Sequence, residues 1–287
     1  MVVLRREGRG VGERDAHGEY SKRLLVRTWN LFHGNTKPPG RRAYLEELVR
    51  LATADEPDVV CLQELSVWAL VHLPDWSGMT AVTDVARRPL PLLGELARTL
   101  SELDARRFRS GITGEANAVL LQPSLTVVEH RRLVLNPFRF RRLQARQLRL
   151  PPGERIRWAS ERRVLQALRV RRGDGTFVLA NAHITGHKDK RIPDAELLRA
   201  AVFMDGFAQP DEPVLLCGDF NLTLRNSHTL RELMTPEWSF AGATPTGIDH
   251  VLVRGLSAQP PLVWPAERRT RDGRILSDHA PVDVEVE

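Results

Sequence analysis

Cysteine, lysine and long hydrophobic runs are scarce in this chain of 287 residues. Its two cysteines, Cys61 and Cys217, both lie in short apolar segments, which favours buried reduced thiols over a disulfide bond. No stretch approaches the roughly 18 apolar residues of a transmembrane helix, and the glycine- and charge-rich N-terminus lacks the apolar run of a signal peptide. These absences argue against a disulfide-stapled secreted protein and against a membrane-spanning one, so we expect a cytoplasmic protein.

The composition predicts a folded chain with one large core. Hydrophobic residues make up 42% of the sequence and charged residues 27%, which excludes a mainly disordered or collagen-like chain. Hydrophobic cores stop growing at roughly 250–300 residues, so one domain is the simplest interpretation. We expect a disordered N-terminal tail over residues 1–22 and a single domain over residues 23–287.

Positive charge is concentrated in one segment of the chain. The 42 lysines and arginines exceed the 36 acids by six, but residues 131–172 alone hold fourteen arginines and two acids, a net charge of +12. Such a segment suits nucleic-acid phosphates or anionic lipid head groups, and Phe138, Phe140 and Trp158 offer rings on which bases stack. A solvated arginine-rich surface explains the same charge, so the segment by itself does not identify a partner.

Short apolar segments bounded by turn residues predict about nine strands, beginning near residues 24, 59, 118, 125, 164, 177, 214, 248 and 282. Helical spacing of apolar residues appears over residues 44–52, 92–103 and 197–202. So many strands with so few helices favour two packed sheets flanked by helices. The basic, proline-containing stretch at about residues 131–160 is predicted to be a long loop that leaves this scaffold.

Polar residues that a core would not tolerate follow or interrupt several of the predicted strands. A cap or a turn explains any one of them, but strands that end at one rim bring their terminal side chains together. Six such clusters in one chain therefore indicate a site. They are Trp29-Asn30, Gln63-Glu64, Ala182-His183, Asp219-Phe220-Asn221, Asp249-His250 and Asp278-His279.

The residue types in these clusters point to metal-assisted chemistry on phosphate. Glu64, Asp219 and Asp278 supply hard oxygen ligands, and Asn30 adds a neutral oxygen, a set that suits Mg²⁺ with retained waters and a substrate phosphate. The sequence does not suit a zinc site, because the two cysteines lack Cys-x-x-Cys spacing. The histidines of two clusters carry protons near neutral pH, so the set suits in-line attack of a water on phosphorus.

Seven sequence blocks, taken in order, resemble the signature of the endonuclease/exonuclease/phosphatase superfamily. The resemblance runs from about residue 23 to the C-terminus, and the Gly-Asp-Phe-Asn and Ser-Asp-His-Ala-Pro blocks are its most diagnostic parts. It implies a four-layer α/β/β/α sandwich of two mainly antiparallel mixed sheets flanked by helices. The blocks are Trp29-Asn30, Leu62-Gln63-Glu64, Asn117-Ala118-Val119-Leu120, Asn181-Ala182-His183-Ile184, Gly218-Asp219-Phe220-Asn221, Gly247-Ile248-Asp249-His250-Val251 and Ser277-Asp278-His279-Ala280-Pro281.

The resemblance assigns roles in metal and water binding. It makes Glu64 the principal Mg²⁺ ligand, with Asn30 and Asp278 near the same ion and Mn²⁺ as a possible substitute. It makes Asp219 the group that positions or deprotonates the attacking water, with Asn221 orienting the scissile phosphate.

The same resemblance assigns proton transfer to the histidines. His279, held by Asp249, acts as general base or as an electrostatic partner of the phosphate, and His183 contacts a phosphate oxygen or protonates the leaving oxygen. The resemblance leaves open which histidine is base and which is acid, and a metal-bound hydroxide is an alternative to both. The presence of His183, with both tyrosines far N-terminal, argues against the abasic-site branch of the superfamily.

Four further residues are candidate substrate contacts by position. Asn117 belongs to the third block, and Lys188 and Lys190 follow His183 in a predicted loop, where a solvated loop explains both lysines equally well. Arg163 resembles the family's Glu-x-Arg entry to a strand, which suggests a residue that braces the rim more than one that contacts phosphate. Glu115 stands where deoxyribonuclease-like members carry a carboxylate that supports the first histidine.

Fold and core site do not name the substrate of this superfamily. With the arginine-rich segment, the prediction is a metal-dependent phosphodiesterase, most simply a nuclease that hydrolyses DNA or RNA. The alternatives are a sphingomyelinase-like phospholipid hydrolase, an inositol phosphate hydrolase and a non-catalytic nucleic-acid-binding relative. The sequence gives no warrant for any oligomeric state.

Overall fold

Fifteen strands build two large sheets and one small sheet in the computed structural model, which describes residues 3–4, 23–40, 42–89 and 113–287. The strands are β1 (Val3–Leu4), β2 (Leu24–Asn30), β3 (Thr36–Lys37), β4 (Val59–Leu65), β5 (Thr80–Arg87), β6 (Glu115–Leu121), β7 (Thr126–Val134), β8 (Val164–Arg172), β9 (Gly175–His183), β10 (Val214–Asp219), β11 (Asp249–Arg254), β12 (Leu262–Val263), β13 (Thr270–Arg271), β14 (Arg274–Leu276) and β15 (Val282–Val286).

Both large sheets are mixed but mainly antiparallel. The first has the order β1-β5-β6-β4-β2-β15-β12, and the second has the order β11-β10-β9-β8-β7. Each contains one parallel pair, β2 with β4 and β9 with β10. The carboxyl ends of each parallel pair therefore meet at one edge of their sheet, which is where the candidate site lies.

Helices cover the outer face of each large sheet. They are α1 (Leu45–Thr53), α2 (Leu73–Ser77), α3 (Phe138–Gln147), α4 (Pro152–Ser160), α5 (Arg191–Phe207) and α6 (His228–Leu233). Apolar residues on α1, such as Leu45 and Leu48, pack on the first sheet, while Leu197 and Met204 of α5 pack on the second. A third core, including Val119 and Leu179, fills the space between the sheets. These layers are the expected α/β/β/α sandwich.

Two polar or polarizable pairs join the sheets inside this third core. Cys61 and Cys217 are both buried and free, as expected, and burial together with a hydrogen bond between the two thiols raises the pKa of Cys217. Nearer the site, Gln63 Nε2 donates to Asn181 Oδ1 at 2.8 Å. Asn181 Nδ2 in turn donates to the carbonyl of Leu62 at 3.0 Å. These hydrogen bonds join β4 of the first sheet to β9 of the second sheet beside the site.

All nine strands expected from the sequence are present, and the helices expected at residues 44–52 and 197–202 correspond to α1 and α5. The helix expected at residues 92–103 lies outside the described residues. Of the expected tail over residues 1–22, only Val3–Leu4 is described, and it pairs with β5 at the edge of the first sheet. The division into a tail and one domain stays a prediction.

The expectation of a long loop at residues 131–160 is wrong. Thr126–Val134 forms one continuous strand, β7, and the remainder folds into α3 and α4, which we call the basic helical pair (residues 137–162). Pro151 and Pro152 stand at the start of α4, where proline is favoured because its missing N–H is one of the unpaired groups of a helix start. These prolines mark the beginning of a helix here and not a loop.

Across the described ranges, none of the helices combines the length and the apolar character needed to cross a membrane.

Candidate active site

One carboxylate oxygen, Asp219 Oδ2, is the meeting point of the polar strand ends. Asn30 Nδ2 donates to it at 2.9 Å, His183 Nε2 lies 3.7 Å away and His279 Nε2 lies 3.8 Å away. Asn30 ends β2, His183 ends β9 and Asp219 ends β10. The predicted convergence at one rim is therefore present, and it joins residues from both sheets.

Gly218 allows β10 to bring Asp219 beside His183. In the parallel register, Gly218 faces Ala182 and Asp219 faces His183. Gly218 has φ +138°, and a Cβ atom there would lie 1.9 Å from the carbonyl oxygen of Ala182. Only glycine fits this close approach of two backbones.

Glu64 is turned into the site by a bulge in β4. The pairing of β4 with β6 shifts register between Leu62 and Leu65, and Glu64 has φ +53°, a left-handed conformation that is costly for a side chain of this kind. Its carboxylate is one-fifth exposed and lies between two imidazoles. His33 Nε2 is 3.4 Å from one oxygen, and His183 Nε2 is 3.7 Å from the other.

His279 and Asp249 form a buried pair, as the resemblance implied. His279 Nδ1 lies 2.8 Å from Asp249 Oδ2. Burial, followed by the charge of Asp219, raises the pKa of Asp249 to about 6. Burial disfavours charge on His279, but the hydrogen bond to Asp249 and the nearby carboxylates outweigh it and raise the pKa of His279 to about 10. The contact with Asp249 fixes the His279 ring so that its Nε2 faces Asp219.

His183 is held from behind by a charged chain. Its Nδ1 lies 3.0 Å from Glu115 Oε1 and 2.9 Å from Arg163 Nη1, and Arg163 also donates to Glu161 at 2.7 Å. Burial opposes charge on Glu115, but Arg163 and His183 hold the pKa of Glu115 well below its usual range. Arg163 is buried and both of its terminal nitrogens contact these groups, so its place fits a brace of the rim.

Asn30 and Asn221 orient Asp219 in this structure. The amide N–H of Asn30 donates to Asp219, and Asn30 Oδ1 accepts from the backbone N–H of Phe32 at 2.9 Å. The backbone N–H of Asn221 donates to Asp219 Oδ1 at 2.9 Å, and Asn221 Nδ2 donates to the carbonyl of Ile184 at 3.0 Å. Asn221 has φ +54°, a second strained residue at the site.

The residues present fit a hard divalent cation. Asp278 Oδ1 is buried without a hydrogen-bond partner among the described residues, and Glu64 presents a partly exposed carboxylate on the same rim. Carboxylate oxygens are the ligands that Mg²⁺ and Mn²⁺ prefer. A second possible position lies between Asp219, Asp249 and His279, whose ligand atoms are all within 4.8 Å of one another. Within that trio, His279 and Asp249 are already hydrogen-bonded to each other, whereas Asp278 Oδ1 has no hydrogen-bond partner among the described residues.

The candidate substrate contacts divide into engaged and exposed residues. Lys190 Nζ donates to the backbone carbonyl of Asn221 at 2.9 Å, so it braces the loop after β10. Lys188 is exposed. Asn117 is fully buried and donates to the carbonyl of Val164 at 3.2 Å, while its Oδ1 has no partner among the described groups.

The basic helical pair is attached directly to the rim. Trp158 Nε1 of α4 donates to buried Glu196 at 2.6 Å, and Glu196 accepts from the backbone N–H of Thr185, two residues after His183. Burial raises the pKa of Glu196 despite these donors. His187 Nε2 lies 2.7 Å from Glu154 of α4.

Of the three aromatic rings expected to offer stacking faces, one is available. Phe138 is 68% exposed at the start of α3. Trp158 is fully buried, and Phe140 packs edge-on against it at 6.1 Å, so the expectation for these two rings is wrong. They hold the helical pair against α5 instead, since Trp158 donates to Glu196 and the guanidinium of Arg199 lies over the half-buried Phe140 ring at 5.1 Å.

Sequence reasoning missed His33 at the site. It lies in the loop after β2 with φ +52° and is buried, and its Nδ1 has no partner within the described part of the chain. The conformation of its loop brings His33 to Glu64, and no residue spacing in the sequence indicates this contact. Glu115 was signalled only by its position two residues before Asn117.

The Endonuclease/Exonuclease/phosphatase family matches residues 28–279 of this chain. An endonuclease/exonuclease/phosphatase from Bacteroides vulgatus is 13% identical, with coverage of 93% of this chain and 99% of that chain and a TM-score of 0.65. The human Nocturnin catalytic domain with bound sulfate anion is 15% identical, with coverage of 92% and 93% and a TM-score of 0.64. Humanized D. rerio TDP2 is 14% identical, with coverage of 93% and 100% and a TM-score of 0.59. Among curated proteins, none is significantly similar in sequence. At these identities the structural likeness concerns the fold.

Proposed function

Since the chain belongs to the endonuclease/exonuclease/phosphatase family, we propose that it is a divalent-metal-dependent phosphodiesterase of the nuclease type. Its substrate is DNA or RNA, and its reaction is hydrolysis by in-line attack of an activated water on phosphorus. The observation that carries the proposal is the position of Asp219 Oδ2, within 3.8 Å of a ring nitrogen of both His183 and His279.

In the proposed reaction, Asp219 and the two histidines near it have separate roles in proton transfer and charge stabilisation. Asp219 accepts the proton of the attacking water, and the new oxygen–phosphorus bond forms as the bond to the leaving oxygen breaks. His279, fixed by Asp249 through Nδ1, faces the same place with Nε2 and offsets negative charge on the phosphate. His183, fixed from behind by Glu115, supplies the proton to the leaving oxygen.

Glu64 and Asp278 are the residues that would hold the metal ion, with Asn30, whose Oδ1 already accepts from Phe32, near the same ion. When bound, Mg²⁺ or Mn²⁺ supplies Lewis-acid stabilisation of charge on the phosphate oxygens. Glu64 and Asp278 suit this role because their carboxylates are 20% and 25% exposed, whereas Asp219 is buried.

The basic helical pair supports a polyanionic substrate. It joins the rim next to His183, and the only acids between residues 137 and 162 are Glu154 and Glu161. Contacts from several arginines release counterions from nucleic acid, so binding through them weakens steeply with salt. Its exposed arginines are Arg139, Arg142, Arg146, Arg149, Arg155, Arg157 and Arg162.

A substrate panel tests the proposal. Plasmid DNA, single-stranded RNA, sphingomyelin vesicles and inositol phosphates are incubated with the protein and Mg²⁺ or Mn²⁺, with and without a chelator. We expect cleavage of a nucleic acid that the chelator abolishes. His279→Ala is expected to abolish it too, while His228→Ala, a matched change of an exposed histidine on α6, leaves it intact. Failure to cleave any nucleic acid with either metal contradicts the proposal.

One observation favours a phospholipid as a second candidate substrate. Phe138, Leu143 and Ile156 of the basic helical pair are 68%, 54% and 72% exposed, and apolar side chains among arginines suit the surface of an anionic membrane. Cleavage of sphingomyelin in the panel, lost when these three residues are changed to serine, would select this candidate over the nuclease.

A further inference from the structure

A cavity of 410 Å³ lies outside the catalytic cluster, between the first turn of α1 and the short helices that follow β4. Three aromatic side chains line it, namely Trp68, His72 and Trp76. The His72 ring stacks on the Trp76 ring at 5.2 Å with 21° between their planes, and Trp68 meets Trp76 edge-on at 6.1 Å. All three side chains are half-buried, so they combine packing on the first sheet with surface that faces the cavity.

Two segments of the chain connect this cavity to the catalytic cluster. Trp68 is four residues after Glu64, so their Cα atoms lie within about 14 Å of each other. On the other wall, the backbone N–H of Tyr44 donates to the carbonyl of Gly34 at 2.9 Å, and His33 next to it lies 3.4 Å from Glu64. The cavity is therefore within reach of a nucleotide adjoining a phosphate at the site.

The charged lining of the cavity distinguishes between classes of ligand. Glu47 pairs with Arg42 at 2.5 Å, and Glu46 pairs with Arg50 at 2.9 Å. The cavity is lined by two carboxylates but only one arginine, Arg42. This excess of negative charge disfavours binding of a lone phosphate there. Indole and imidazole rings stack on flat heterocycles, and carboxylate oxygens accept the N–H groups on the edge of a base.

We propose that this cavity is a nucleobase-binding subsite, an inference that rests on the proposed nuclease-type function. It holds the base of a nucleotide that neighbours the scissile phosphate, stacked on the Trp76 side of the aromatic group. The basic helical pair lies on the other large sheet, so a strand of substrate runs from those arginines across the rim to the cavity.

Calorimetric titration of the full chain tests the subsite. The probes are the four nucleoside 5′-monophosphates and, as a matched ligand without a base, ribose 5-phosphate. We expect at least one nucleotide to bind about 5- to 150-fold more tightly than ribose 5-phosphate, the range typical of stacking one base. Trp76→Ala removes this difference, Trp76→Phe restores most of it, and Trp238→Ala on the opposite helical layer leaves it unchanged.

Equal affinity for nucleotides and ribose 5-phosphate would overturn the subsite, and so would a folded Trp76→Ala variant that binds nucleotides as the wild type does. If Trp76→Ala does not fold, His72→Ala removes the other ring of the stack and decides the same question. A wild-type chain that binds nucleotides but cleaves no nucleic acid refutes the nuclease function and not the subsite. A chain that cleaves nucleic acid but shows no preference for a base refutes only the subsite.

Discussion

Two buried arginines, Arg27 and Arg163, each hold two carboxylates, yet only one of the two clusters is closed. Arg27 donates twice to Asp283, at 2.6 and 2.7 Å, and twice to Asp55, at 2.6 and 2.9 Å. The Trp264 ring covers its guanidinium at 4.3 Å. Every nitrogen of the Arg27 guanidinium therefore has a partner inside the protein.

The Arg163 cluster is built from the same groups but stays open. Arg163 binds Glu115 and Glu161, and it also contacts His183. Its Nε has no partner among the described residues, and the same holds for buried oxygens of Asn117, Asp249 and Asp278 on this rim. Buried polar groups are normally paired, so unpaired ones gathered in one place indicate a binding role. The closed cluster serves stability, and the open one is available for chemistry.

The largest expected effect separates two buried aspartates, Asp219 on the open rim and Asp283 in the closed cluster. Asp219→Asn is expected to lower the rate of phosphodiester cleavage by about 10²- to 10⁴-fold, because the proton acceptor for the attacking water is lost. Asp283→Asn is expected to lower stability while each folded molecule keeps its activity. Initial rates, normalised to the folded fraction from circular dichroism, check both, and equal losses of rate would erase the distinction.

Arg27→Met should be the most destabilising change in the closed cluster. It leaves Asp283 buried without its partner, and breaking a buried ion pair on one side costs about 3–5 kcal/mol. Urea unfolding measures the free energy of unfolding. A loss below about 1 kcal/mol would show that this cluster does not hold the fold as described.

The two carboxylates that pair with Arg163 are expected to differ in their importance for catalysis. Glu115→Gln is expected to lower the rate about 10- to 100-fold, because Glu115 also fixes His183 from behind. Glu161→Gln removes the same charge from Arg163 but does not touch His183, so the rate should change little. Steady-state kinetics of the pair checks this, and an equal effect of both changes contradicts the positioning role of Glu115.

The smallest effect is the acid sensitivity of the closed cluster. The hydrogen bond from Arg27 lowers the pKa of Asp55 to about 2, from an unperturbed value of 3.8. A lowered pKa in the folded state means that this contribution to stability is complete above about pH 3.8 and is lost as the pH falls towards 2. The difference in unfolding free energy between the wild type and Asp55→Asn should decrease as the pH is lowered from 5 to 3, and most of this decrease should fall below pH 4. A constant difference over this range would rule out this linkage.

The sequence predicts the convergence of the site but not its finer geometry. Alternating apolar residues predict the strands, and polar side chains at their ends follow from where those strands stop, as Asp219 and His183 show. The bulge that turns Glu64 inwards depends on a one-residue register shift that no local pattern encodes. His33 reaches Glu64 only through the tertiary placement of its loop.

The basic helical pair shows a different reason for failure. Arginine, glutamine, leucine and alanine are good helix formers, so α3 has favourable local propensity. The prolines at 137, 151 and 152 suggested a loop, although all three lie just before or at a helix start. The exposure of Phe138 and the burial of Trp158 depend on the packing of Trp158 against Glu196, which sequence spacing does not reveal.

The position of a bound divalent ion tests most directly the claim that the open rim combines a metal-binding side with a proton-handling side. A crystal structure with Mn²⁺, located by its anomalous scattering, distinguishes the two positions available on the rim. We predict an ion bound to Glu64 and Asp278, with Asp249 and His279 still hydrogen-bonded to each other beside Asp219. An ion seated between Asp219, Asp249 and His279, or none on this rim, would contradict the account.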